Sequence, residues 1–137
     1  MTVPHSPIEV AAALIFREGK LLITRRHAGV HLGGLWEFPG GKREPGEPWQ
    51  ACVIREIREE LGVEMVVGTL FADIEHAYPE KTVRLKFFTG TLVQGEPQAI
   101  GCADYRWIGL AELNQFAFPA ADAQLLEQLK NPHTVWA

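Results

Sequence analysis

Pro48 to Leu61 is the stretch that most constrains the fold, because its apolar residues recur with a clear helical period. Ala51, Ile54, Ile57 and Leu61 fall on one side, Pro48 stands at a first helical position, and Gly62 follows as a stop. The surroundings read differently. Residues 8–16 are rich in Ile, Val, Ala and Leu, Glu18-Gly19-Lys20 offers turn chemistry, and residues 21–24 complete a strand hairpin. Residues 63–77 and 82–93 form two long strand-like runs joined by Tyr78-Pro79-Glu80-Lys81, and residues 105–108 form a shorter one. Between Arg25 and Pro48 the chain is rich in Gly and Pro around a brief strand at residues 35–38, which reads as a long structured loop. Ala121, Leu125 and Leu129 predict a C-terminal helix over residues 120–130. The expected fold class is α+β, with a mixed sheet on which the helices pack.

The 137 residues suit a single domain, 1–137, with one substantial core. Lys and Arg number 13 against 17 Asp and Glu, a net charge of −4, so the surface as a whole repels polyanions and no nucleic acid polymer is expected as a partner. An acidic chain acting on a phosphate compound needs metal ions and local cations to offset that repulsion. Cys52 and Cys102 sit in no metal-binding cluster and read as reduced, partly buried thiols. The longest apolar run, Val10 to Phe16, is too short to span a bilayer, and Met1 to Glu9 lacks a leader pattern. No membrane association and a cytoplasmic location are the expectations. Mostly buried rings are expected for the four tryptophans, and no pattern in the chain encodes its oligomeric state.

The polar side of the central helix carries the chemistry. Glu56, Glu59 and Glu60 lie at i, i+3 and i+4, stacking three carboxylates about 5–6 Å apart on one face. From these residues alone a solvated glutamate-rich surface is the simpler account. The alternative is a divalent metal held by oxygen ligands, Mg²⁺ or else Mn²⁺, which commonly shares its coordination with substrate phosphates.

The upstream spacing decides between them. Gly41 to Val63 matches GX5EX7REUXEEXGU, with U a bulky aliphatic residue, at every specified position, and so resembles the signature of the Nudix hydrolases. Leu21-Leu22-Ile23-Thr24-Arg25-Arg26 and Leu35-Trp36-Glu37-Phe38-Pro39-Gly40 are similar to the flanking segments of MutT-type members. The resemblance implies a mixed sheet sandwiched between helices, an α/β/α arrangement, with box 41–63 forming a loop-helix-loop at the metal site. It implies that Glu56 and Glu60 ligate the metal, that Glu59 assists through a second ion or water, and that the Gly40 carbonyl adds an oxygen. Glu56 is the expected base orienting the attacking water, and Arg55 and Glu47 have structural parts. One departure stands out: MutT-type proteins often carry another glutamate where this chain has Gly101, and Asp104 or Glu75 are the available substitutes.

Arg26 and Lys42 are the candidates for phosphate contact. By resemblance the base pocket uses residues 10–12, Phe38, Tyr78 and residues 118–122. Asp122 occupies the position where a MutT-like reader of 8-oxoguanine has asparagine. An ionised carboxylate there is an acceptor only, so both guanine and cytosine derivatives remain open. The leading expectation is a small-molecule nucleotide substrate, a nucleoside triphosphate cut to monophosphate and pyrophosphate, in a nucleotide-sanitising role allied to DNA repair with 8-oxo-dGTP the first candidate. ADP-ribose or dinucleoside polyphosphates are the alternative substrates, and a non-catalytic nucleotide sensor is the alternative outside catalysis.

Overall fold

The computed structural model describes residues 7–134 and Trp136. Strand β1 (Ile8–Arg17) turns through Glu18 and Gly19, both at positive φ, into β2 (Lys20–Arg25). Two successive residues in that conformation match the twist of a tight hairpin. The segment read as a loop around one brief strand holds two, β3 (Trp36–Glu37) and β4 (Gly40–Lys42). Helix α1 (Trp49–Leu61) follows, then the long hairpin of β5 (Glu64–Ala77) and β6 (Thr82–Gln94), and β7 (Asp104–Ile108). A 3-10 segment at Leu110–Gln115, a 3-10 turn at Ala120–Asp122 and helix α2 (Ala123–Leu129) complete the described elements.

The strands join in the order β3-β2-β1-β6-β5, with β4 also pairing β1 and β7 pairing β2. The sheet is mixed, because β1 runs parallel to β6 (Ile8 opposite Val83 through Ile15 opposite Gly90) and antiparallel to β2 and β4. Both faces of β1 are covered. Ala11, Ala13 and Ile15 pack with Cys52, Val53, Ile57 and Leu61 of α1, while Ala12 and Leu14 pack with Leu113, Leu125 and Leu129 on the opposite side. An unbroken apolar run is what such a doubly covered strand requires. The expected sandwich of helices around a mixed sheet is the arrangement found.

Three details correct the sequence reading. Pro48 caps α1 rather than opening it, with its carbonyl accepting from the Cys52 N–H at 3.0 Å. Ala51 is exposed, and Cys52 and Val53 take the buried face beside Ile57 and Leu61. A period of 3.6 residues admits both stripes, and the short β-sheet side chains Ala11 and Ala13 select the one that fits. The C-terminal helix is split into a 3-10 turn and α2, although Ala121, Leu125 and Leu129 are buried as expected. None of the four tryptophans is exposed: Trp36, Trp49, Trp107 and Trp136 are partly buried, at the rims of the two cores. Both cysteines are free and buried. No helix of the described residues is long and apolar enough to cross a membrane.

Candidate active site

The glutamate face of α1 meets the sheet at β4. Successive backbone groups of an antiparallel strand point alternately toward and away from the partner. Pro39 accepts from the Ala13 N–H, and the Arg43 N–H donates to Glu9, each at 2.8 Å, so Gly41 lies on the bonded row facing β1 and Gly40 on the row facing away. The Gly40 N–H thereby faces the Glu60 carboxylate, whose charged form it favours, and its carbonyl turns the same way. Gly41 is required by close approach. A Cβ built on it lies 2.3 Å from the Glu56 carboxyl carbon, so the Glu56 carboxylate fills the space that a side chain would need.

Arg55 organises the polar face. Its guanidinium donates to Glu47 at 2.8 and 3.0 Å, to Glu56 at 2.9 Å, to Glu59 at 3.3 Å and to the Lys42 carbonyl at 3.2 Å. These bonds, led by the pair with Arg55, hold the Glu47 carboxyl down to about 2. Arg55 and Glu47, for which structural parts are expected, are thus joined in one network, and Arg55 also pairs with Glu59 one turn on. Glu56 shifts the other way: burial raises it more than Arg55 lowers it. Glu60 shifts furthest. Burial pushes it up to about 8, Glu37 and Glu56 add repulsion, and the Gly40 N–H and the Arg26 charge only partly compensate. Its Oε2 is buried with no hydrogen-bond partner among the described residues.

An oxygen left bare in this way is what a divalent cation would satisfy. The donors are all oxygens, which suits a hard ion. No three acidic, His or Cys side chains among the described residues converge as a ready-made cage. The residues therefore fit an ion that takes Glu60, Glu56 and a backbone carbonyl and completes its shell with water and substrate phosphate, as Mg²⁺ does.

A cleft of about 200 Å³ opens beside β4. It gathers Arg26, Phe38, Gly40, Lys42, Tyr78 and Asp122, six of the residues singled out from the sequence. Glu56, Glu59 and Glu60 are not among its lining, and Glu59 is well exposed on the outer side of the Arg55 network. Arg26 is committed to partners, donating from Nε to the His31 carbonyl at 2.8 Å and from Nη1 to Glu37 at 3.0 Å. Phe38 is buried, stacked on Phe118 with ring centroids 5.1 Å apart, so it backs the cleft as core and is not free to receive a base on both faces. Asp122 is 6% exposed, and burial, followed by repulsion from Glu37, pushes its carboxyl up to about 7.

Glu37 is the residue that the sequence reading passed over as a site residue. It lines the cleft, pairs with Arg26 and raises both Glu60 and Asp122. The carboxylates acting on Glu60 are thus Glu37 and Glu56, rather than the substitutes considered for Gly101. Asp104 is taken up by the Tyr105 N–H and Arg106, and Glu75 is exposed on β5 in register with Arg84. A Cβ on Gly101 would lie 3.2 Å from the Glu60 Cα, so this position packs against the end of α1. The signals for Glu37 in the sequence were its place in the MutT-like segment Leu35 to Gly40 and its charge between Trp36 and Phe38 on a strand.

Comparison with known proteins agrees with this geometry. The NUDIX domain family matches residues 11–128. The CTP pyrophosphohydrolase of Escherichia coli K12 is 40% identical over 125 residues, covering 88% of this chain and 89% of that protein. The 8-oxo-dGTP diphosphatase of the same strain is 34% identical over 124 residues, covering 90% and 96%. Among solved structures, a MutT protein from Methanosarcina mazei Go1 superposes with a TM-score of 0.81 at 29% identity, covering 93% of this chain and 95% of that one. With the box intact, its helix seated on β4 and the flanking cleft formed, the chain belongs to the NUDIX domain family and is a Nudix hydrolase.

Proposed function

We propose that this Nudix hydrolase cuts nucleoside triphosphates to monophosphate and pyrophosphate, reading the base with Asp122 and holding Mg²⁺ at Glu56 and Glu60. The observation that carries the reading is the buried Asp122 carboxyl, which has no cation paired with it among the described residues, in the same cleft as Arg26 and Lys42. A carboxyl raised to about 7 is present in both protonation states near neutrality. Ionised, it accepts from the N1–H and N2–H of a guanine derivative. Protonated, it donates to N3 of cytosine while accepting from the exocyclic amine. Relatives named for CTP and for 8-oxo-dGTP fall on either side of that choice, and both nucleotides are first substrates to try.

Nudix hydrolases generally use divalent metal ions, and such an ion, when bound, neutralises diphosphate charge and lowers the pKa of water. Glu60, Glu56 and the Gly40 carbonyl would hold it, and Glu59 would assist through a second ion or water. The chain itself does the rest. Glu56, oriented by Arg55, accepts the proton of the attacking water. The water oxygen bonds to phosphorus as the bridging P–O bond breaks, and pyrophosphate leaves with the bonding electrons. Lys42, exposed at the cleft edge, meets the phosphates, and Arg26 contributes its charge from the Glu37 pair.

The test is hydrolysis of 8-oxo-dGTP, dGTP, CTP, 5-methyl-dCTP, ADP-ribose and diadenosine tetraphosphate, with and without Mg²⁺ and with the products resolved by chromatography, comparing wild type with Glu56→Gln. Mg²⁺-dependent pyrophosphate from a triphosphate, reduced at least a hundredfold in the variant, is the expected outcome. Turnover of ADP-ribose or the dinucleotide alone would overturn it.

A further inference from the structure

Residues 27–34 belong to no sequence motif, yet they form the rim of the cleft through His31 and Leu32. The loop is tightly built. The Gly33 N–H donates to Val30 at 2.9 Å, the Gly34 N–H to Arg26 at 3.1 Å, and the side chains of Arg25 and Arg26 donate to the carbonyls of Gly34 and His31 at 3.0 and 2.8 Å. Within it Leu32 has a φ of 56°, one of two non-glycine residues at positive φ among those described, the other being in the β1–β2 turn. A leucine in the left-handed region strains its backbone, because the Cβ crowds the carbonyl.

That strain has no local necessity. A chain reversal at this point needs only a glycine, and the loop uses one two residues later, where Gly34 has a φ of 80°. Gly33 between them has no room for a side chain, since a Cβ there would lie 2.4 Å from the Ala28 carbonyl oxygen. Of these three successive residues, only Leu32 carries a side chain, at a position where a side chain is unfavourable, and only Leu32 of the three lines the cleft. An observed strain at a cleft wall points to use of the side chain.

From this, and resting on the triphosphate reading above, we infer that Leu32 is a specificity-determining residue that grips the nucleoside half of the substrate. Its chemistry selects that half. An isobutyl group offers nothing to a phosphate, which Lys42 and Arg26 serve in the same cleft, and it suits the face of a base or the carbon edge of a sugar. Contact with a part of the substrate that does not react is made equally in the ground and transition states, so it sets KM and leaves kcat alone.

The experiment compares wild type, Leu32→Ala and Leu32→Gly in three measurements: steady-state kinetics with the best triphosphate of the panel, calorimetric binding of GMP and CMP, and thermal melting. Both variants are expected to raise KM and the monophosphate Kd about tenfold, with kcat within about twofold, as for other single apolar pocket contacts. Leu32→Gly is expected to melt no lower than wild type, because glycine adopts this φ without strain. Unchanged Kd values, or a KM that rises only in step with a falling melting temperature, would overturn the inference and make Leu32 a structural residue. The binding arm separates the two proposals. If wild type binds monophosphate but releases no pyrophosphate from any triphosphate, the function proposed above fails while the Kd ratio still decides the role of Leu32. If wild type binds neither monophosphate, the inference fails with it.

Discussion

Asp122, proposed above to read the base, also bears on stability. Its carboxyl is raised to about 7 from an ordinary 3.8, so it ionises more readily in the unfolded chain than in the folded one. The associated stability is fully present below pH 4 and is lost as pH rises toward 7, after which the penalty is constant. Asparagine has the same shape and never ionises. Asp122→Asn is therefore expected to gain on wild type in urea midpoint between pH 4 and pH 7, and to hold that gain at pH 8. The gain is at most about 4 kcal/mol in all, since each tenfold change in an ionisation constant is worth ~1.4 kcal/mol. A constant difference across the range would show that Asp122 does not titrate there. Residue-scale electrostatics were the least legible part of the sequence. Asp122 and the three box glutamates are recognisable by position, but the charge that perturbs Asp122 and Glu60 belongs to Glu37. Its influence depends on β3 pairing β2 with Thr24 opposite Glu37, and no local pattern announces that register.

At the scale of the element, α1 is both the best-read and the most instructive segment. Its Gly62 stop at a φ of 67° and its acidic face agree with the sequence, whereas its buried stripe is rotated from the one expected. Periodicity specifies a helix and leaves the choice between overlapping stripes to the surface beneath. The stripe found predicts that Val53→Ala lowers stability by about 1–3 kcal/mol, and that Ala51→Ser changes it by less than ~0.5 kcal/mol, both measurable by denaturant unfolding. Equal effects at the two positions would place the helix in the other rotation. Loop 27–34 marks the opposite extreme. Its glycines announce a turn, but the conformation of Leu32 depends on contacts from Arg25 and Arg26 that close only when β2 and β3 are paired.

For the molecule as a whole, strand and helix segments were legible because their apolar patterns are long, and the box was legible because its spacing is specific. Strand order was not, since the parallel pairing of β1 with β6 joins residues far apart in the chain with side chains that would suit many partners. That central placement of β1 has a further consequence. Its odd-numbered residues Ala11, Ala13 and Ile15 belong to one core and its even-numbered Ala12 and Leu14 to the other, so neither layer can open without exposing the strand that the other layer rests on. The two halves should melt together, as one cooperative unit, and the amides of residues 11–15 should exchange with solvent hydrogen only through global unfolding. Separate protection levels for the α1 side and the α2 side would refute this. If the coupling holds, a loss of packing behind the glutamates would slacken the nucleotide cleft on the far side, and an enzyme weakened by core substitution would lose catalysis and recognition together.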